Sequence, residues 1–150
     1  MLCLIEIQAT FAVGDMATGQ ARRGARVLYE ALKSQYQLVA MSSQTEDITK
    51  WWLRSNGMAD WSLIRCWDKE WSHIYTEWQV HLVADFLASG WEIGMFIDSY
   101  DGIITPVQRM HVPTMMVSYP AHGPGFFDPE KPPRAWATVA DDPGGDHGPG

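Results

Sequence analysis

The stretch FIDSYDGIITPVQRMHVPTMMVS, Phe96 to Ser118, decides the reading of the fold. It begins as an apolar run that ends on Asp98, with a second acid at Asp101. A helical stretch of about residues 102–110 follows, containing Pro106, so the helix is expected to kink or to start late. A second apolar run covers residues 114–118. Strand, acidic turn, helix and strand is the repeating unit of an α/β protein. Such proteins place their chemistry at the carboxyl ends of the strands.

Working outward, the same alternation covers the preceding chain. Residues 2–8 are apolar at Leu2, Cys3, Leu4, Ile5 and Ile7, the near-continuous pattern of a strand buried on both faces. Residues 36–41, 61–66 and 92–97 read as further strands. A helix is expected over 21–33, with Ala25, Leu28, Tyr29 and Leu32 on one face. Another begins at SSQTED, where Ser43 and Glu46 have capping-box spacing, and stops at Asn56-Gly57. A third spans 74–88, with Ile74, Trp78, Leu82 and Phe86 four apart. Alternating strands and helices predict a three-layer α/β/α sandwich around a five-stranded parallel Rossmann-like sheet, with 3-2-1-4-5 as the candidate strand order. About a dozen residues separate the first strand from the first helix, so no cap domain fits there.

Residues 1–119 are read as this domain. The last 31 residues hold seven Pro and six Gly. Within them, 120–140 is expected to dock on the domain through Phe126, Phe127 and Trp136, and 141–150 to be a disordered tail.

Composition bounds the function. Apolar residues make up 46% and charged residues 19% of 150, which is a globular balance. A net charge of −7 argues against general nucleic-acid binding, which depends on Lys and Arg neutralising phosphates. No run reaches the roughly 20 apolar residues of a membrane span. Cys3 and Cys66 fall in strands that this order separates by one other, a gap of about 9–10 Å. That exceeds the reach of a disulfide, so two free thiols and a reducing, cytoplasmic setting are expected. The eight Trp read mainly as core and edge packing, with the remainder available to a partner. The five His, at 73, 81, 111, 122 and 147, lack metal-ligand spacing.

The strand order reverses between strands one and four. Glu6, Gln8 and Thr10 therefore converge with Asp98, Ser99 and Asp101, with Ser42 and Ser43 at the end of strand two. Ser42 and Ser43 also suit plain helix caps, and Asp98 suits a cap for the helix after it. Arg22, Arg23 and Arg26 put three positive charges near a helix N-terminus, against its dipole. They suit either a solvated face or an anion near the mouth of the site.

In layout, and in EIQAT, SS, DSYD and HVPT taken in order, the chain resembles the haloacid dehalogenase-like (HAD-like) phosphohydrolases over roughly residues 2–119. Small divergent members of this kind look like those of actinobacterial phage genomes, which implies a phage or bacterial source. The resemblance implies roles. Glu6 stands where the family has its nucleophilic Asp, and Gln8 where it has its general acid/base. Ser42 stands at the phosphoryl-binding Ser or Thr. Gln79 aligns with the motif Lys, with Lys69 a weaker candidate. Glu6, Asp98 and Asp101 stand where magnesium is held, with the Gln8 carbonyl as a further oxygen.

The departures set the expected function. Gln8 has no titratable proton, which forfeits about 10²–10⁴-fold of rate. Glu6 is one methylene too long, and a displacement of about 1 Å costs on the order of 100-fold. The leading expectation is a domain with eroded catalytic motifs that binds a protein partner or its own copies, with little or no phosphatase activity. The alternative is a magnesium-dependent phosphatase on exposed or macromolecular phosphoesters, with Asp15 replacing Gln8. Nucleotide binding has little support, because no Gly-rich loop follows the first strand.

Overall fold

The first strand settles the layers. β1 (Leu2–Glu6) is buried at every residue, and its side chains divide by alternation. Cys3 and Ile5 enter one core with Tyr29, Trp52 and Leu53. Leu2 and Leu4 enter a second core with Trp78, Val83, Phe86, Ile103 and Val107. Helices therefore cover both faces of the sheet. The computed structural model describes residues 1–17 and 19–117. The expectations for 120–140 and 141–150 lie outside the described residues.

The elements follow in chain order. After β1 come α1 (Ile7–Phe11), β2 (Ala12–Val13), β3 (Gln20–Ala21), α2 (Ala25–Lys33), β4 (Gln37–Ser42) and α3 (Glu46–Ser55). Then come β5 (Leu63–Cys66), α4 (Tyr75–Ala88), β6 (Ile93–Asp98), α5 (Asp101–Arg109) and β7 (Thr114–Met116). The main sheet has order β5-β4-β1-β6-β7, and all its pairs are parallel. Numbering only these five strands gives 3-2-1-4-5, the candidate order. β2 and β3 form a small antiparallel hairpin between α1 and α2.

Register and parity then place the strand ends. Leu4 pairs with Phe96 and Ile5 with Ile97, which carries Glu6 level with Asp98. Leu4 and Phe96 belong to the core under α4 and α5. Glu6 and Asp98, each two residues on, share that face. On β4, Val39 and Met41 face the same core, while Leu38 and Ala40 face the other. Ser42 therefore turns away from Glu6, towards α3.

Several local expectations are corrected. The first strand ends at Glu6, not Gln8, because the chain turns at once into α1 with Glu6 as its N-cap. α2 begins at Ala25, since Gly24 adopts φ +81° and interrupts helix before it. Arg22 and Arg23 thus precede the helix, and of the three Arg only Arg26 lies within it. The N-cap of α3 is Thr45, whose side chain accepts the Ile48 N–H, rather than Ser43. The buried residues of α4 are Trp78, Gln79, Val83 and Phe86, while Ile74 lies outside the helix and is exposed. Trp78 and Phe86 are buried as expected and Leu82 is half-buried, but the buried face widens to take in Gln79 and Val83, because α4 is apolar on several sides. α5 begins at Asp101 and continues through Pro106.

Both cysteines are free, and burial pushes the Cys3 thiol up to about 12, leaving it unreactive. Trp52 and Trp78 are buried, whereas Trp51, Trp71 and Trp91 are exposed. Among the described residues, no helix is long and apolar enough to cross a membrane.

Candidate functional site

A crevice of about 400 Å³ opens at the carboxyl end of β1 and β6. Its wall includes Glu6, Gln8, Ser43, Gln79 and Asp98, all anticipated near it, together with Tyr75, Tyr100 and Arg22.

Glu6 is 4% exposed. Its Oε2 accepts the Ala9 N–H at 2.6 Å, so the carboxylate caps its own short helix. Its Oε1 accepts the Tyr75 hydroxyl at 3.1 Å. Burial raises the Glu6 carboxyl to about 7, and the neighbouring Asp98 charge adds to this. The Ala9, Tyr75 and Gln8 hydrogen bonds oppose the rise without cancelling it.

Asp98 ends β6 and is also 4% exposed. Its Oδ2 accepts the Gln79 side-chain amide at 2.9 Å. Its Oδ1 accepts the backbone N–H groups of Ser99 at 2.6 Å and Tyr100 at 3.2 Å. Burial raises its carboxyl, and these three donors pull it back.

Tyr75 escaped the sequence reading. It opens α4, one turn before Gln79, so a single helix presents a hydroxyl to one carboxylate and an amide to the other. Its ring packs against Trp67 at 5.4 Å and Trp78 at 5.7 Å. Burial and the Glu6 charge hold the phenol well above its ordinary range, so it stays a donor. The four-residue spacing to Gln79 was the available signal. Tyr100 also escaped it. Its ring lies over Gly102, where a Cβ would collide with it.

The remaining candidates are placed differently. Gln8 lies in α1. Its amide nitrogen is 3.5 Å from the Gly14 carbonyl and its amide oxygen accepts the Ser43 hydroxyl at 3.3 Å. Ser42 is fully buried. Its hydroxyl lies 2.7 Å from that of Thr49 and accepts the Gln44 N–H at 3.1 Å. Asp101 is exposed on the first turn of α5, off the crevice wall. Lys69 sits over the Trp67 ring at 5.0 Å rather than in the crevice. Asp15 accepts the Ala17 N–H at 2.9 Å in the hairpin turn.

The donor set is short for a resident magnesium ion. Glu6 and Asp98 are two carboxylates, and both oxygens of each already accept from the chain. The Gln8 carbonyl accepts the Ala12 N–H. Among the described residues, no group of three or more His, Cys, Asp or Glu could hold a metal ion.

No family model and no curated protein matches the chain. Among solved structures, it is similar to a chain of the Pnkp1/Rnl/Hen1 RNA repair complex, with a TM-score of 0.67 at 12% identity. The match covers 81% of this chain and 43% of that one. The two share a fold, and this chain spans less than half the length of its neighbour.

Proposed function

We propose that this chain is a HAD-like domain whose crevice no longer transfers phosphoryl groups and which acts by binding a protein partner or its own copies. The observation that carries this reading is the buried Gln79–Asp98 hydrogen bond. Phosphoryl transfer is accelerated mainly by positioning and by positive groups held against the negative phosphoryl oxygens. Where the family resemblance implies a Lys, a neutral amide spends a donor on a carboxylate instead. Gln8 supplies no proton, and its amide oxygen is engaged by Ser43. The parallel sheet, with Glu6 and Asp98 on one face, supports the HAD-like part of the reading.

The test is turnover of an aryl phosphate with millimolar magnesium. The expected result is no release above buffer, unchanged in Glu6→Gln. Turnover that Glu6→Gln abolishes would defeat the proposal. Sedimentation of the full chain, alone and with cell extract, tests the binding part. A strict monomer that retains no partner counts against it.

A magnesium-dependent phosphatase remains the second reading, favoured by two carboxylates in an open crevice and by Arg22 on its wall. It requires magnesium-dependent turnover that Glu6→Gln abolishes; no turnover, unchanged by Gln8→Asp, would weaken it.

A further inference from the structure

Two buried carboxylates on one sheet face repel each other, and a bound cation is the usual relief. Here the chain itself supplies donors that offset part of that charge. Ala9 and Tyr75 donate to Glu6, and Gln79, Ser99 and Tyr100 donate to Asp98. We infer that Tyr75 and Gln79 take the place of a cation, so that the crevice is complete without magnesium.

The donors turn their positive hydrogens towards the oxygens an ion would need. Magnesium demands a near-octahedral set of oxygens at about 2.0–2.1 Å. To reach both carboxylates it would compete with the Tyr75 hydroxyl and the Gln79 amide for oxygens that already accept a hydrogen bond. Neither yields cheaply. The Tyr75 ring packs against both Trp67 and Trp78, and Gln79 is 1% exposed. Both stand on α4, so the two donors are held as one rigid unit. The backbone donors at Asp98 are as firmly placed, since Ser99 and Tyr100 lead directly into α5.

The test is thermal unfolding of the full chain in chelator and in millimolar magnesium chloride at constant ionic strength, with calorimetric titration of magnesium. The expected midpoint shift is below about 1 °C, with no saturable heat. The variants Tyr75→Phe and Gln79→Leu should melt lower in chelator and recover part of the loss with magnesium. A saturable rise of several degrees in the wild type would overturn the inference. So would folded variants that ignore magnesium, because the donors would then not be what excludes it. If the variants fail to fold, the wild-type titration decides alone. The inference rests on the non-hydrolytic reading of the same crevice, yet the two fail separately. Magnesium binding without turnover defeats the inference only, and turnover that survives chelator defeats the reading only.

Discussion

Gln79 donates its side-chain amide to Asp98 across 2.9 Å, and both groups are buried. A buried carboxylate that loses a partner bears the full cost of its desolvation. Gln79→Leu should therefore lower stability by about 1–3 kcal/mol in urea unfolding. Gln79→Lys supplies charge in place of the amide and should lose less. A leucine variant as stable as the wild type would show that Asp98 does not depend on this bond.

Glu6 makes stability depend on pH in an unusual direction. Burial holds its carboxyl at about 7, above its ordinary 4.5. Between those values the folded state binds more protons than the unfolded state, so the Glu6 contribution falls as pH rises. It is full below the lower value and lost above the upper one, a difference of about 3 kcal/mol. Asp98 is shifted in the same direction. Glu6→Gln has no such titration, so relative to the wild type it should gain stability from about pH 5 to pH 8. An unchanged gap between the two proteins across that range would contradict this.

Ser42 is expected to matter for folding and not for the crevice. Its hydroxyl is fully buried against Thr49 and the Gln44 N–H, on the sheet face opposite Glu6. Ser42→Ala should cost about 1–2 kcal/mol in urea unfolding and leave the pH dependence of stability that Glu6 sets unchanged. A changed pH dependence at preserved stability would restore Ser42 to the site.

His111 follows α5 with φ 61°, the left-handed conformation in which a glycine is usual. It is exposed, and its backbone N–H bonds the Gln108 carbonyl. His111→Gly keeps that bond and removes the strain at Cβ, so it should stabilise the chain by up to about 1 kcal/mol. Differential scanning calorimetry would read this as a higher midpoint. A lower one would give the imidazole a role of its own.

Much of this was legible in sequence, for identifiable reasons. The apolar runs at 2–5 and 93–97 carry the signature of strands covered on both sides. The spacing between strands left room only for short crossovers. Glu6, Gln8 and Asp98 were legible because strand ends at a reversal of order must meet, and Gln79 because the family resemblance aligned it with the motif Lys. Ser42 and Asp101 came from the same strand ends and motifs. Ser42 follows the alternation of β4 onto the other face, and Asp101 is carried off the wall as α5 begins. Tyr75 was missed because a tyrosine opening a helix looks like any surface aromatic until its partner, 69 residues away, is known.

The alternation of apolar strands with helical faces is local information, and it was enough to predict a parallel sheet and to restrict its order to a few candidates. Which way each strand-end side chain turns depends on register between segments far apart in the chain. Only the folded structure could decide that Glu6 and Asp98 share a face, and that α4 meets them with a hydroxyl and an amide rather than a charge. The reason is physical. The alternation of side chains along a strand is set by the pleat of its own backbone, but a residue's partner across the sheet is set by packing of the whole.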